Sequence, residues 1–383
     1  MNGVHVPLVK LPERGAVALS FLDKEPFGVK LGWIELPHPG AKTISRDKRH
    51  GYAGAPRMNR RPATTSVSLA TVEQAAEDLA NHLSPTPLQY SRAFTVKTGC
   101  HVHLKVEGIQ PVRSFKVRGA LNRVIRLHPE ERRKGVITAS AGNHGQGVAY
   151  AALTFGIPAT VFVPLTANPL KVEAIRRLGA TVVQAGVTYQ DAADEALLAG
   201  AESGATYVHA YDDADVIAGQ GSVAVEIARD LAEFDTVIVP IGGGGLIAGI
   251  TAYLKEARPK VKIVGVEPRG AAAMHASLAA GRIVTLTKLE TIADGLAASR
   301  PGRLTFEIVQ RWVDDILLVE EDEMVRAIRL YFDWEHLLAE PAGAAALAGL
   351  LYRYRPSPGE RVVVILSGAN ATDEVMVRAL ESR

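Results

Sequence analysis

The sequence has 383 residues, of which 47% are apolar and 22% are charged, and its net charge is +2. This length is enough for two or three lobes with large cores. The small net charge and the lack of an apolar run of about 18 residues are untypical of nucleic-acid-binding and membrane-spanning proteins. The single cysteine, Cys100, excludes an intramolecular disulfide and a multi-cysteine zinc site, and it favours a reducing compartment. We therefore expect a cytoplasmic globular protein that binds neither nucleic acid nor membranes.

The first 66 residues differ from the rest of the chain in charge and in pattern. They hold 11 Lys/Arg against 5 Asp/Glu and 7 of the 21 prolines, with no sustained helical or strand period. This composition predicts a flexible basic arm over residues 1–66. Two other interpretations stay open, namely a basic interaction tail or transit segment, and a nonfunctional extension upstream of Met58. We expect the arm to be dispensable for catalysis.

Regular structure is predicted from residue 68 onward. Residues 68–83 have the period of an amphipathic helix, with Thr71 as the candidate N-cap, and a later helix begins with Asn168 as N-cap and Pro169 at its first position. Further helices are predicted over 143–156, 188–204, 219–231 and 245–257. Short apolar strands alternate with these helices: GVITAS, IPATVFVP, TVVQAG, TYVHAY, TVIVPI, KIVGVEP and RVVVIL. Such alternation predicts an α/β fold with parallel sheets covered on both faces.

Three glycine-containing loops follow predicted strands, at Ser140–Gly145, Gly242–Gly245 and Ser367–Asn370. Ligands of open parallel sheets bind beyond the carboxyl ends of the strands. Successive backbone N–H groups at a helix N-terminus form an anion cradle, so Gly242–Gly245 is a candidate phosphate site, with a tight turn as the alternative. No Gly-Lys-Ser/Thr follows these glycines, and the dinucleotide-binding spacing is not clearly present.

A lysine beside an aromatic residue stands at a predicted loop-to-helix junction, in the segment Ser114–Ala120. Lys116 is a candidate Schiff-base lysine, because a desolvated amine is neutral enough to act as a nucleophile. Without further context, a solvated surface lysine is the better interpretation of this residue alone.

Seven segments together resemble the fold-type II pyridoxal-phosphate enzymes, and most closely the serine/threonine dehydratase family. They are SFKVRGA, ITASAGNHGQGVA, VIAGQGSVAVEI, VPIGGGGLIAGI, TIADGLA, EPAGAAALAG and VILSGAN, in the order and spacing of that family over residues 85–375. The resemblance implies two open twisted parallel-sheet lobes with the cofactor between them. The large lobe would comprise residues 67–135 and 215–383, and the small lobe residues 136–214.

The resemblance also implies a role for each matching residue. The implied cofactor-binding residues are Lys116 as the Schiff-base lysine, Phe115 against the ring, Asn143 at the ring hydroxyl, the amides of Gly242, Gly243, Gly244, Gly245 and Leu246 at the phosphate, and Ser367 at the pyridine nitrogen. The implied substrate-binding residues are Ser140, Asn143 and His144, although His144 is also interpreted as a structural partner of its loop.

The implied reaction is the elimination of water from a β-hydroxy amino acid, threonine or serine first, to give a 2-oxo acid and ammonia. Lys116 would remove the α-proton as general base. A neutral hydroxyl at Ser367 would leave the pyridine nitrogen unprotonated, which favours prompt loss of the β-substituent. The alternatives are a racemase or β-replacement synthase of the same fold, a dehydratase for a larger or acidic substrate, and a non-catalytic binding protein.

Several positions depart from the family pattern or stay open. Glu267 is followed by Ala271 and Ala273 where metal-binding members have an acid, so we expect no divalent metal site, whereas a monovalent cation stays open. Arg113 precedes the SFK segment as either a solvent-facing residue or a contact to an acidic substrate. Ala141 replaces the second serine of the racemases, which argues against racemisation.

The resemblance further implies a homo-oligomer, either a dimer or a tetramer, that acts on a small amino acid. The chain ends 16 residues after Ser367, so it is expected to be a short form without the regulatory extension of the biosynthetic enzymes.

Overall fold

The computed structural model describes residues 67–382. The predicted basic arm, residues 1–66, lies outside the described residues. The described strands are β1 (Leu88–Ser91), β2 (His101–Val106), β3 (Val136–Ala139), β4 (Ala159–Val163), β5 (Thr181–Gln184), β6 (Thr206–Tyr207), β7 (Thr236–Pro240), β8 (Lys262–Pro268), β9 (Asp315–Val319) and β10 (Arg361–Leu366). The described α-helices are α1 (Leu69–Leu79), α2 (Arg92–Thr98), α3 (Lys116–Ile125), α4 (Pro129–Lys134), α5 (Asn143–Phe155), α6 (Pro169–Arg177), α7 (Tyr189–Ser203), α8 (Ala214–Asp230), α9 (Gly245–Ala257), α10 (Ala273–Ala280), α11 (Arg303–Trp312), α12 (Glu321–Glu335), α13 (Pro341–Ala348) and α14 (Asp373–Glu381).

The larger sheet has six strands in the order β1-β2-β10-β7-β8-β9. All its neighbouring strands are parallel except β1, which runs antiparallel to β2 because only the short helix α2 connects them. In β10 the run Val362–Leu366 is fully buried, as expected for a strand covered on both faces. The predicted α/β fold is therefore confirmed, with one antiparallel edge strand that the sequence interpretation did not include.

The smaller sheet has four parallel strands in the order β5-β4-β3-β6. All four lie between residues 136 and 207, whereas the six-stranded sheet takes strands from both sides of that segment. Within residues 67–382 no helix has both the length and the apolar character needed to span a membrane.

Two predicted helix boundaries need correction, and one is confirmed. The N-cap of α1 is Ser68 rather than Thr71, because the Ser68 hydroxyl accepts from the N–H of Thr71, whose own side chain accepts from Ser68 in a capping box. Helix α8 begins at Ala214 rather than at residue 219, since Asp213 caps it. The cap at Asn168 is present as predicted, with its side chain accepting from the N–H of Leu170.

Glycines bring α3 close to its neighbours and so fix the position of Lys116. A Cβ on Gly119 of α3 would lie 2.8 Å from the carbonyl oxygen of Val216 in α8. A Cβ on Gly147 of α5 would lie 3.2 Å from the carbonyl oxygen of Lys116. Larger side chains at these contacts would push the helices apart, so helix packing sets the geometry of the N-terminus of α3.

Candidate active site

The loops after β3 and β10 contact each other directly, and the loop after β7 lies near them at the carboxyl ends of these strands. The side-chain amide of Asn370, after β10, donates to Oδ1 of Asn143, after β3, at 2.7 Å. Asn143 in turn donates to the carboxyl of Glu340 at 2.6 Å. A Cβ on Gly295 would lie 3.8 Å from that carboxyl, and one on Gly242, after β7, would lie 3.2 Å from the carbonyl oxygen of Gly295. The structure therefore brings the three predicted loops into one site.

The loop that leads into α3 is bonded to the end of β10. The N–H of Phe115 donates to the carbonyl of Ser367 at 3.1 Å, and the N–H of Ala369 donates to the carbonyl of Arg113 at 2.8 Å. Arg113 has a left-handed backbone, with φ of 58°, and its side chain is exposed. Such a conformation in a non-glycine residue is unfavourable and is often found at functional sites, where surrounding bonds maintain it.

Lys116 is the first residue of α3, and its side chain is partly buried. Nζ donates to the carbonyl oxygen of Ala210 at 3.1 Å and lies 5.2 Å from the centre of the Phe115 ring. Burial lowers the pKa of Lys116 to about 8, although the negative charge of Glu340 acts in the opposite direction. At pH 7 about a tenth of the amines are then neutral, against roughly three in ten thousand at an ordinary lysine pKa. Lys116 is thus suited to act as a nucleophile and as a base.

The glycine loop after β7 has no room for side chains. A Cβ on Gly243 would lie 2.3 Å from the ring of Tyr211, and Gly244 has a φ of 97°, which favours glycine. Helix α9 begins at Gly245, so the N–H groups of Gly245 and Leu246 have no partner within the helix. The loop therefore forms the predicted cradle at a helix N-terminus, where an anion is favoured.

The loop after β3 presents polar groups in front of α5. The hydroxyl of Ser140 accepts from the N–H of Gly142 at 3.2 Å, and Ser140, Ala141 and Asn143 are all partly exposed. Because α5 begins at Asn143, the free N–H groups of its first turn lie beside these side chains. This arrangement is suited to a carboxylate, as the sequence interpretation proposed for Ser140 and Asn143.

His144 is buried, and one nitrogen of its ring contacts a backbone carbonyl. Nε2 lies 2.9 Å from the carbonyl oxygen of Val208, while Nδ1 has no protein partner. Burial, together with the charge of Lys116, lowers the pKa of His144 to about 3, so the ring is neutral. The geometry supports the structural interpretation of this side chain, and the part of His144 left for a substrate is its backbone N–H.

Ser367 is buried at the end of β10. Its hydroxyl donates to the carbonyl of Ala342 at 3.3 Å, a long bond that a ring nitrogen can replace as acceptor. Among residues 67–382 no carboxylate is bonded to this hydroxyl, so the group at this position is neutral.

Sequence reasoning gave no role to Glu340, although EPAGAAALAG was among the quoted segments. The structure places this carboxyl against Asn143. Burial, and next the charge of Asp294, raise the pKa of Glu340 to about 7. The available signal was an acid directly before a helix made of small apolar residues, because such a helix is buried and brings its first residues into the core.

Glu267 lies fully buried at the end of β8. Its carboxyl accepts from the N–H of Met274 at 2.9 Å and of His275 at 2.8 Å, and burial raises its pKa to about 8. Among residues 67–382 no group of three His, Cys, Asp or Glu residues is placed to hold a metal ion. Glu267 thus caps the start of α10 in this structure.

Comparison with known proteins identifies related sequences and folds. The family model of pyridoxal-phosphate dependent enzymes matches residues 79–368. An L-threonine ammonia-lyase of Thermotoga maritima is 41% identical over 79% of this chain and 76% of its own length. An L-threonine ammonia-lyase of Geobacter sulfurreducens is 43% identical over 78% of this chain and 74% of its own.

Two solved structures are similar over most of the chain. The processed form of threonine deaminase isoform 2 from Solanum lycopersicum is 38% identical, with a TM-score of 0.78 over 82% of this chain and 92% of that one. Maize serine racemase is 33% identical, with a TM-score of 0.79 over 82% of this chain and 97% of that one.

Proposed function

The chain belongs to the family of pyridoxal-phosphate-dependent enzymes, and we propose that it is an ammonia-lyase that converts L-threonine, and more slowly L-serine, to a 2-oxo acid and ammonia. The observation that carries this proposal is the desolvated amine of Lys116 in the same site as the glycine cradle and the α5 N-terminus. The L-threonine ammonia-lyases at 41% and 43% identity support the choice of substrate.

The residues of the site fit pyridoxal phosphate. A Cβ on Gly243 or Gly244 would fill space against Tyr211 or Thr305, so the cradle is restricted to backbone, as a phosphate requires. Lys116 has the lowered pKa needed to bind an aldehyde. We propose that Gly242–Leu246 hold the phosphate, that Lys116 holds the aldehyde carbon, and that Phe115, Asn143 and Ser367 bind the ring.

Pyridoxal phosphate, when bound, withdraws electrons from the α-carbon of an amino acid. The chain's own residues supply the base and the orientation. Ser140, Asn143 and the first N–H groups of α5 would bind the substrate carboxylate and so orient the α-hydrogen. Lys116 Nζ would accept that proton, because its amine is neutral in a useful fraction of molecules near neutral pH. The β-hydroxyl takes up a proton and departs as water. The released enamine tautomerises to an imine, which water hydrolyses to the 2-oxo acid and ammonia.

Serine racemisation is the second candidate, favoured by the 0.79 TM-score to maize serine racemase. A racemase needs a second acid–base group on the opposite face of the substrate, because one base returns the proton to the side it came from. Ala141 stands at the position that this group has in the resemblance, and a methyl group carries no exchangeable proton. Elimination is therefore the better assignment.

We also propose a lobe organisation, a cellular location and an oligomeric state for the protein. The two sheets support a large lobe of residues 67–135 and 215–383 and a small lobe of residues 136–214. The buried free thiol of Cys100 suits the reducing environment of the cytoplasm. A homo-oligomer, dimer or tetramer, is proposed from the family resemblance and is tested by light scattering.

The experiment is a substrate panel on the purified protein loaded with pyridoxal phosphate. We expect 2-oxo acid and ammonia from L-threonine, less from L-serine, and little from 3-hydroxyaspartate or an aryl-serine. Borohydride treatment should bleach the visible absorbance and leave a pyridoxyl group on the Lys116 peptide. A protein that binds the cofactor at Lys116 but forms no 2-oxo acid from any of these would refute the lyase assignment.

A further inference from the structure

Glu340 is the first residue before α13 but does not cap it. The side chain makes no hydrogen bond to the helix, although residues at this position commonly use their side chain in that way. The carboxyl instead accepts from Nδ2 of Asn143 at 2.6 Å, a residue 197 positions away in the chain. With 5% exposure, Glu340 is among the few buried acids of the described residues. The Glu340 carboxyl therefore contacts the candidate site and makes no hydrogen bond to α13.

The backbone around Glu340 keeps its carboxyl in place. The N–H of Glu340 donates to the carbonyl oxygen of Gly368 at 3.1 Å. A Cβ on Gly368 would lie 2.3 Å from Oε1 of Glu340, so a glycine is required there to admit the carboxyl. The segment after β10, which contains Ser367, thus holds both the backbone and the side chain of Glu340.

The hydrogen bonds of Asn143 leave one donor free. A carboxamide has two N–H donors and an oxygen acceptor. The oxygen of Asn143 accepts from Asn370, and one of its N–H groups donates to Glu340. Because Asn370 is itself held by the carbonyl oxygen of Val112 at 2.9 Å, the orientation of the carboxamide is fixed from both ends. The second N–H is left for a ligand.

Several charges face Glu340. Asp294 raises its pKa, while Lys171, which pairs with Asp294, and the backbone N–H of Asn370 lower it. The Glu340 carboxylate in turn favours the ammonium form of Lys116, against the effect of burial. A Cβ on Gly368 would lie 2.3 Å from Oε1 of Glu340 and 3.3 Å from Cβ of Ser114, and the N–H of Phe115 donates to the carbonyl of Ser367. The Glu340 carboxyl therefore lies beside the segment that leads into Lys116, where its charge acts on the amine.

We propose that Glu340 is a positioning residue: it orients Asn143 with one N–H free for the bound cofactor, and its negative charge stabilises the ammonium that Lys116 becomes on accepting a proton. The inference extends the function proposed above and relies on it for the roles of Asn143 and Lys116. Its two parts make separate predictions, one on the cofactor and one on the amine.

The first test measures the apparent pKa of the Lys116 amine in the absence of substrate. The full chain is stripped of cofactor, labelled with an amine-specific acylating reagent over a range of pH, and the Lys116 peptide is quantified by mass spectrometry. Glu340→Gln should lower the apparent pKa of Lys116, and a fall of one unit raises labelling at pH 7 about fivefold. Glu340→Asp keeps the charge and should stay near the parent protein. An unchanged titration in folded Glu340→Gln would refute the electrostatic part.

A matched control is Glu267→Gln, the same substitution in a buried glutamate that contacts backbone amides rather than Asn143. This change should leave the labelling of Lys116 as it is. If Glu267→Gln shifts it equally, the effect is a general consequence of removing a buried carboxyl, and Glu340 has no special role.

The second test measures the affinity for pyridoxal phosphate, which depends on the orientation of Asn143. Glu340→Gln should weaken pyridoxal phosphate binding severalfold, and Asn143→Ala more strongly. If Glu340 acts through Asn143, the double variant binds the cofactor no more weakly than Asn143→Ala alone. If the losses of cofactor affinity in the two single variants add up in the double variant, Glu340 does not act through Asn143. Should Glu340→Gln fail to fold, Glu340→Asp, which shortens the reach to Asn143, is measured in its place in both backgrounds. A protein that passes both tests but forms no 2-oxo acid would refute the proposed lyase reaction and leave the role of Glu340 intact.

Discussion

Two clusters of buried and partly buried ionisable groups each include one residue of α3, and their charges are arranged differently. The first, here called the paired cluster, comprises Lys105, Glu107, Arg118 and Glu226. Arg118, with 1% exposure, donates to both glutamates at 2.7 to 3.0 Å, and Lys105 donates to Glu226 at 2.5 Å. Burial raises the pKa of Glu226, but the charges of Arg118 and Lys105 outweigh it and hold the pKa at about 2. Each of these charged groups has a partner of opposite sign in direct contact.

The second, here called the site cluster, comprises Lys116, His144 and Glu340. No ion pair in direct contact links these three residues. Their pKa values are moved toward the neutral forms, mainly by burial, to about 8 for Lys116, about 3 for His144 and about 7 for Glu340. Lys116 and Glu340 therefore titrate near neutral pH, which suits Lys116 to accept a proton.

One short motif thus carries a residue that holds the fold and a residue of the candidate site. Lys116 and Arg118 are two residues apart on α3, and both lie in the segment SFKVRGA. Arg118 joins this helix to α8 through Glu226, so the paired cluster fixes the helix that carries Lys116. Groups with shifted pKa values and no ionic partner often mark functional sites. In a fully paired cluster, by contrast, removing one partner is strongly destabilising, because it leaves an uncompensated charge.

The sharpest test of this distinction is to replace one lysine of each cluster, Lys116 and Lys105. Lys116→Ala should reduce the turnover of L-threonine by roughly 10³-fold or more, since both the base and the cofactor attachment are lost. Its unfolding free energy should change little, because Nζ has only the carbonyl of Ala210 as a partner. Lys105→Met, measured in parallel, should lose stability and keep the turnover of its folded fraction. Normal activity in purified Lys116→Ala would refute the assignment of the site.

Arg118→Met should lower the unfolding free energy by about 3–5 kcal/mol, because it leaves two buried glutamates without their main cation. Urea denaturation followed by circular dichroism measures this loss. Cofactor binding by the folded fraction should persist. A variant that retains the parent's stability but loses the cofactor would show that Arg118 belongs to the site cluster, and the comparison would fail.

The two clusters also predict opposite effects of pH on stability. The pKa of Glu226 falls from 4.5 to about 2 on folding, so its contribution is present above pH 4.5 and is lost as the pH falls toward 2. The pKa of Glu340 rises from 4.5 to about 7, so stability is lost as the pH rises from 4.5 to 7, by about 3 kcal/mol for this group alone. Glu340→Gln should remove that decrease and exceed the parent in stability at pH 7. Parallel stability curves for the two proteins would contradict the unpaired state of Glu340.

The sequence was sufficient for the fold class and for the choice of the loops from which the candidate site is built. Short apolar strands alternating with helices predict parallel sheets, and glycine loops after the strands predict where a ligand binds. Helix caps were less certain, because Ser68 and Thr71 both have hydroxyls and only their mutual hydrogen bonds decide which one begins α1. The antiparallel β1 was not predicted, since a strand of four residues carries little pattern.

The limit of sequence reasoning at the site is the contact between distant segments. Glu340 and Asn143 stand 197 residues apart, and nothing in either local pattern says that they touch. The pKa of Lys116 depends likewise on how closely α5 and the loop at Ala210 cover its amine. Local patterns identify residue types and loops, whereas the electrostatics of a site depend on packing between elements.

The smallest expected effect concerns the stereochemical outcome, and it tests whether a group added to the site cluster stays free to exchange protons. Ala141→Ser places a hydroxyl on the loop after β3, where the partly exposed methyl group has no polar partner to replace. We expect the ratio of D-serine to pyruvate formed from L-serine to rise by roughly tenfold. This is less than the 10²–10⁴ of an established proton-transfer group, because the new hydroxyl has no residue arranged to orient it.

Ser140→Ala is the control: it should raise the KM for L-serine, since Ser140 is placed to bind the carboxylate, and leave the product ratio unchanged. Chiral chromatography of the amino acid and a coupled assay of pyruvate measure both products in one reaction. If the parent protein already forms D-serine as fast as pyruvate, a second proton donor exists elsewhere in the site and elimination is not its main reaction.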